Sequence, residues 1–241
     1  PSSPTRVWKP QTQYRRPHRH PRRARGRSPP GSDGASARPL PTRILAFGDS
    51  LTAGLVGGST NRYSPYGDAL ARSLMDASGH EAEVYSRGVV MESVHAMPAR
   101  LTKTLQAEGG GFDCALVLGG SNDLWRGDAD AIWTSLQALY GELRSSNVGE
   151  ECALGLVTIP PFEPGIFNWL SFTGISELTD DTRIQVNERI RAECADANDV
   201  FLVDLAAFAD EPAMARPDGL HFEEAGYRRL GAAAASALQN F

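Results

Sequence analysis

The sequence predicts a single doubly wound α/β domain with a parallel sheet covered by helices on both faces. Short apolar runs alternate with segments in which apolar residues recur at helical spacing. Parallel neighbours are joined by right-handed crossovers, so this alternation places helices on both sides of the sheet. The domain is predicted over residues 42–241, which is within the usual size of one domain. No apolar run approaches the roughly 18–20 residues of a membrane span.

Five strands are predicted from short apolar runs bounded by glycine, polar or turn residues. They cover residues 43–48, 82–86, 113–119, 152–159 and 200–204. Four helices are predicted from residues that recur on one helical face. Two of these faces consist of Tyr66, Leu70, Ala71 and Leu74, and of Ile132, Leu136, Leu139 and Leu143. The other two helices cover about 180–198 and 223–238.

The first 41 residues differ sharply from the rest of the chain. They contain ten Arg or Lys residues and one acidic residue, a net charge of +9, and the remainder therefore carries −14 of the total −5. The segment is rich in Pro, Arg, Ser and Gly and has too few aliphatic side chains to form a core. We therefore predict a disordered basic tail over 1–41. A solvated linker is the simplest interpretation, and contact with nucleic acid is the alternative.

The connection after the fourth predicted strand is unusually long. Residues 160–172 contain three prolines and four large aromatic side chains. Loops of this length are often functional or disordered, and the aromatic content argues against disorder. We predict a partial lid, with ordinary packing against the domain surface as an equal alternative.

The first strand ends in Gly48-Asp49-Ser50. Open α/β sheets bind ligands beyond the carboxyl ends of their strands, and Ser50 lies at such an end. Taken alone, Asp49 and Ser50 are more typical of a helix cap. A nucleophilic role for Ser50 requires a base, a group that orients the base, and donors for an oxyanion.

Three further loops offer those groups. Gly88 follows the second strand, where a residue without a side chain can bring its N–H close to a ligand. Asn122 follows the third strand, and its amide can donate to a developing oxyanion. Asp218 precedes His221 by three residues, and a carboxylate beside an imidazole is typical of a general base. Taken alone, each feature is more typical of a turn, a surface loop or a helix cap.

Together, these four segments resemble the SGNH family of GDSL-type hydrolases. Gly-Asp-Ser-Leu at 48–51 matches the first block of that family and Gly88 matches the second. Gly120-x-Asn122-Asp123 matches the third block and Asp218-x-x-His221 the last. The resemblance implies a three-layer α/β/α flavodoxin-like domain with a five-stranded parallel sheet.

The resemblance also implies a role for each residue. Ser50 would be the nucleophile, His221 the base and Asp218 the group that orients His221. The oxyanion would be held by the N–H groups of Ser50 and Gly88 and by the Asn122 amide. One departure concerns the second block, which often has another glycine three residues later, where this chain has Met91.

The predicted function is serine ester hydrolysis through an acyl-enzyme, with no cofactor and no metal. Short-chain esters, O-acetylated sugars and lysophospholipids are all compatible substrates. An acyltransferase that uses the same three residues is the nearest alternative. A binding protein that uses the basic tail is an alternative from another class.

Overall fold

The computed structural model describes residues 43–59, 61–126, 128–145, 152–162 and 180–241. The predicted tail at 1–41 lies outside the described residues. So does most of the predicted lid, because the description of the 160–172 segment stops at residue 162.

The described residues contain a five-stranded sheet in which all paired strands are parallel. The strands lie in the spatial order β2-β1-β3-β4-β5. They are β1 (Arg43–Gly48), β2 (Glu83–Gly88), β3 (Cys114–Leu118), β4 (Ala153–Val157) and β5 (Val200–Val203). This architecture confirms the predicted α/β fold class.

Helices connect and follow the strands of this sheet. They are α1 (Ser50–Ala53), α2 (Tyr66–Ser78), α3 (Met97–Glu108), α4 (Ala129–Ser145), α5 (Asp181–Asp196), α6 (Leu205–Phe208) and α7 (Glu224–Gln239). Two short 3₁₀ helices cover Ser121–Arg126 and Pro212–Met214.

The sequence interpretation missed α3 and placed the second strand too early. The α3 helix buries Met97, Leu101 and Leu105, which are spaced four residues apart on one face, and it has a proline in its first turn. Strand β2 begins one residue later than predicted and continues to Gly88, because Arg87 and Gly88 still pair with β1. Polar residues on this half-buried edge strand obscured its end.

Two apolar clusters cover the two faces of the sheet. In β1, Leu45 and Phe47 belong to the cluster formed with α3, α4 and α5. Ile44 and Ala46 belong to the opposite cluster, formed with α2 and α7. Successive side chains of a strand point to opposite faces, and here both faces are apolar. This pattern is typical of a parallel sheet buried between two helical layers.

The strand order places a crevice between β1 and β3. The chain runs from β1 to β2 on one side and then returns to β3 on the other side of β1. Loops that follow β1 and β3 therefore leave the sheet in opposite directions, and ligands bind at such a switch point. The segment carrying Ser50 follows β1 and the segment carrying Asn122 follows β3.

Candidate active site

Ser50 lies at the first position of α1, directly beyond the carboxyl end of β1. Asp49 caps this short helix, since its Oδ1 accepts a hydrogen bond of 2.9 Å from the Leu51 N–H. A Cβ on Gly48 would lie 2.0 Å from the Leu118 carbonyl oxygen, so only glycine allows this approach of β1 to the end of β3. The capping role therefore belongs to Asp49, which leaves the Ser50 hydroxyl for other contacts.

The side chains of Ser50, His221 and Asp218 form a continuous chain of hydrogen bonds. The Ser50 Oγ lies 2.8 Å from Nε2 of His221. On the other side of the ring, Nδ1 lies 2.9 Å from Oδ2 of Asp218. This arrangement matches a nucleophile, a general base and the carboxylate that orients the base.

Asp218 is held by backbone N–H groups as well as by the imidazole. Its Oδ1 accepts hydrogen bonds from the N–H of Leu220 at 3.0 Å and of His221 at 2.8 Å. Partial burial alone would raise the pKa of Asp218, but the hydrogen bonds from His221 and Leu220 outweigh burial and lower it below its ordinary value. The carboxyl group therefore stays ionised beside the ring.

The segment that follows α1 is bound to the loop that carries His221. The Gly57 N–H donates to the Phe222 carbonyl at 3.0 Å. The Tyr227 hydroxyl, on α7, donates to the Leu55 carbonyl at 2.6 Å. These bonds connect the segment from Asp49 to Gly57, named the nucleophile segment for its proposed role, to the loop that carries His221, named the base loop. They do not involve the side chains of Ser50 or His221. Sequence reasoning missed them, because they join distant positions with no local pattern.

Asn122 lies in the 3₁₀ helix after β3. Its Nδ2 donates a hydrogen bond of 3.0 Å to the Glu92 carbonyl in the loop between β2 and α3. A side-chain amide carries two N–H donors, so this bond orients the group while using one of them. The second N–H is the one that an oxyanion would require.

Gly88 is the last residue of β2 and pairs with Gly48. A Cβ on Gly88 would lie 2.0 Å from the Ala53 nitrogen and 2.5 Å from the Asp49 carbonyl oxygen. The close packing of α1 is thus a physical reason for glycine here, separate from catalysis. The predicted role of the Gly88 N–H as an oxyanion donor stays a prediction.

A strained turn lies between β2 and Asn122. The Glu92 N–H donates to the Val89 carbonyl at 3.3 Å, which closes a turn around Val90 and Met91. Met91 has φ of +64°, and no other non-glycine residue in the described ranges has a positive φ. The residue is 76% exposed. Met91 therefore has a backbone conformation that favours glycine.

The Asp123 carboxylate anchors the end of the same loop. It accepts a hydrogen bond of 2.8 Å from the Val94 N–H and another from the Ser93 hydroxyl. From the sequence, Asp123 was part of the motif and otherwise a residue that shapes the turn or caps the next helix. In the structure it ties the segment after β3 to the segment after β2.

Asp49 is a buried ionisable group next to Ser50 in the chain. Its side chain is fully buried, and burial raises the pKa of Asp49 to about 7. The hydrogen bond from the Leu51 N–H acts in the opposite direction but does not outweigh burial. Asp49 therefore changes charge near neutral pH, unlike an ordinary aspartate.

The described residues contain no group of three or more His, Cys, Asp or Glu side chains arranged to hold a metal ion. Of the helices in this part of the chain, none has both the length and the apolar character to cross a bilayer.

A parallel sheet with a Ser–His–Asp arrangement at its carboxyl edge is typical of a serine hydrolase. The model of the GDSL-like Lipase/Acylhydrolase family matches residues 46–229. The chain therefore belongs to this family of GDSL/SGNH-type hydrolases, which act on ester bonds.

Solved structures of esterases share the fold. An aryl esterase of M. smegmatis with bound inhibitor is 23% identical, with a TM-score of 0.67 over 83% of this chain and 99% of that chain. A lipase/acylhydrolase from Enterococcus faecalis is 23% identical, with a TM-score of 0.63 over 83% and 96%. A carbohydrate acetylesterase family member from Sinorhizobium meliloti is 16% identical, with a TM-score of 0.66 over 83% and 100%. A comparison with curated proteins gave no significant match.

Proposed function

We propose that this enzyme hydrolyses carboxylic esters with Ser50 as nucleophile, His221 as general base and Asp218 as the group that orients the imidazole. The observation that carries the proposal is the unbroken line of contacts from the Ser50 Oγ through both ring nitrogens of His221 to Asp218. A serine hydroxyl is a weak nucleophile until an adjacent base removes its proton.

In the first half of the reaction, Nε2 of His221 takes the Ser50 proton while Oγ bonds to the ester carbonyl carbon. The carbonyl oxygen becomes an oxyanion, for which the Ser50 N–H and the second N–H of Asn122 are the main proposed donors. The Gly88 N–H is retained as a third predicted donor. When the oxyanion collapses, the bond to the alcohol breaks and His221 returns the proton to the leaving oxygen.

In the second half, water replaces the alcohol. His221 removes a proton from water as the water oxygen attacks the acyl-enzyme. Collapse of the second oxyanion breaks the bond to Oγ, and Ser50 recovers its proton from His221. The ionised Asp218 favours the imidazolium that exists between the two proton transfers.

The proposed substrates are esters with a small acyl group. The structural neighbours include an aryl esterase and a carbohydrate acetylesterase. A first panel therefore contains p-nitrophenyl esters of increasing acyl length, an O-acetylated sugar and a lysophospholipid. Product analysis with an added acceptor alcohol distinguishes hydrolysis from acyl transfer.

The decisive experiment compares Ser50→Ala with wild type on p-nitrophenyl acetate. We expect Ser50→Ala to lose nearly all turnover while it remains folded by circular dichroism. Ser135→Ala is a matched control, because that hydroxyl lies on α4 and donates to the Ala131 carbonyl. Wild-type turnover in Ser50→Ala would contradict the proposed function.

A further inference from the structure

Arg100, on α3, makes the densest set of polar contacts beside the site. Its Nε lies 2.6 and 2.8 Å from the two carboxylate oxygens of Glu92, and Nη2 also contacts that carboxylate. Nη2 donates to the Gly48 carbonyl at 2.9 Å and Nη1 to the Arg87 carbonyl at 3.0 Å. One guanidinium therefore binds the carboxyl ends of two neighbouring strands and the loop that follows the second.

These contacts use the particular geometry of arginine. The guanidinium presents several N–H donors in a rigid plane, whereas a lysine ammonium is a compact point charge. The plane also lies close to an aromatic ring, with Cζ 3.9 Å from the centroid of Phe47. The Glu92 side chain is only 9% exposed, so its carboxylate depends on Arg100 for charge compensation.

The groups that Arg100 binds are adjacent to the proposed catalytic groups or in contact with them. Gly48 immediately precedes the Asp49-Ser50 pair, so its carbonyl belongs to the peptide that begins the nucleophile segment. Glu92 uses its side chain to bind Arg100 and its backbone carbonyl to accept the Asn122 amide. Arg100 therefore contacts the nucleophile segment through the Gly48 carbonyl. It contacts the proposed oxyanion donor, Asn122, indirectly through Glu92.

The contacts of Arg100 hold the strained turn next to Glu92 in place. A non-glycine residue with positive φ persists only where the surrounding structure holds it. Met91 immediately precedes Glu92, which Arg100 fixes on the side chain and Asn122 fixes on the carbonyl. Without Arg100, the turn can relax and move the acceptor that orients Asn122.

We propose that Arg100 is a positioning residue, which acts through Glu92 and the Gly48 carbonyl to keep Asn122 and Ser50 in register for the oxyanion. This inference rests on the proposed function. It assigns no contact between Arg100 and the substrate. Its loss should therefore lower kcat with little change in KM, because the oxyanion forms only during reaction.

The test compares Arg100→Gln and Arg100→Lys with wild type on p-nitrophenyl acetate. We expect Arg100→Gln to lower kcat by about tenfold or more, since small displacements of catalytic groups are costly. Arg100→Lys should give an intermediate kcat, because an ammonium can pair with Glu92 but cannot also reach both carbonyls. The loss should be uniform between mildly acidic and alkaline pH, since the His221–Asp218 pair is unchanged.

Arg229→Gln is the matched control. Arg229 binds both oxygens of Glu211, at 2.7 and 2.9 Å, and its Cζ lies 4.5 Å from the centroid of Phe208. The control therefore removes an ion pair and a ring contact of the same kind, at a more exposed position. We expect it to lower the melting temperature while kcat stays within about twofold of wild type, as for most changes outside a site.

Two outcomes separate this inference from the proposed function. Wild-type kcat in a folded Arg100→Gln variant, beside an inert Ser50→Ala, would overturn the positioning role alone. Wild-type turnover in Ser50→Ala would overturn the proposed function itself. If Arg100→Gln does not fold, Arg100→Lys decides, and wild-type kcat in that variant counts against the inference.

Discussion

The Oγ of Ser50 and the Nε2 of His221 lie 2.8 Å apart, and hydrogen bonds of neighbouring residues join the two segments that carry them. The Gly57 N–H and the Tyr227 hydroxyl connect the nucleophile segment to the base loop at 3.0 and 2.6 Å. These two hydrogen bonds therefore help to align Ser50 with His221. A preorganised pair loses less free energy to reorganisation during reaction than a pair that must first assemble.

Asn122→Ala tests the proposed oxyanion donor. Loss of one such donor typically lowers kcat by about 10²–10³. We expect that decrease with KM nearly unchanged, because the ground-state carbonyl gains little from the donor. Steady-state kinetics on p-nitrophenyl acetate measure both constants. A kcat close to that of wild type would remove Asn122 from the oxyanion hole.

The dependence of activity on pH tests His221 and Asp218 together. Histidine ordinarily takes up a proton in mildly acidic solution, and a protonated imidazole cannot accept the Ser50 proton. The lowered pKa of Asp218 keeps its carboxylate ionised across this range. We expect kcat/KM to fall below neutrality by about tenfold per pH unit. A flat profile from pH 5 to 8 would argue against His221 as the base.

Asp218→Asn should keep the side-chain shape but lose the charge that orients the imidazole. In an analogous triad, this change lowers kcat by about 10⁴. We expect a decrease of about 10³–10⁴ here, measured at the pH of maximal activity. Asp210→Asn is a suitable control, since the Asp210 side chain is 87% exposed and its ion pair with Arg216 is 3.3 Å long. Equal activities in these two variants would contradict the role of Asp218.

Asp49→Asn tests the effect of the buried carboxyl on stability. Burial raises the pKa of Asp49 from 3.8 to about 7, so between these pH values the folded protein holds a proton that the unfolded chain releases. The free energy of unfolding should therefore fall as pH rises through this window. A shift of this size corresponds to roughly 4–5 kcal/mol, at ~1.4 kcal/mol per unit of pKa.

Asparagine also caps helices well, so Asp49→Asn should keep α1 intact while removing this titration. Urea unfolding of both proteins at several pH values measures the difference. We expect wild type to lose stability relative to Asp49→Asn between pH 4 and 7. Parallel curves across this interval would show that Asp49 does not titrate there.

Met91→Gly tests the strain in the turn after β2. A left-handed conformation costs a non-glycine residue about 1–2 kcal/mol, and the extra chain entropy of glycine offsets about half of that. We therefore expect the free energy of unfolding to rise by about 0.5–1 kcal/mol. Met91→Ala keeps the Cβ and the strain, so it controls for loss of the exposed side chain. A less stable Met91→Gly than Met91→Ala would contradict strain at this position.

The sequence was sufficient for the elements that have a local signal. Strand β1 coincides with its prediction because an apolar run ends abruptly at Gly48. The end of β2 was less clear, since an edge strand with exposed polar residues has no apolar run to mark it. Helix α3 had a usable signal in Met97, Leu101 and Leu105, but the Thr and Lys residues between the two leucines weakened the pattern.

The candidate site likewise has contacts with a local sequence signal and contacts without one. Asp218 and His221 share one turn, so their spacing could suggest a pair. The contacts of Arg100 with Gly48 and Arg87 cross from a helix to two strands, and no spacing in the chain indicates them. Glu92 lies in the loop before α3, outside the helix that carries Arg100, so helical spacing does not predict their contact.

The distance along the chain between Ser50 and His221 affects when the site can form during synthesis. Ser50 and His221 are 171 positions apart, and the base loop leads directly into that last helix. On the ribosome, Ser50 therefore emerges long before His221. In the proposed mechanism, a translation product that stops before residue 221 carries the nucleophile without its base, so we expect esterase activity only after synthesis has passed that point.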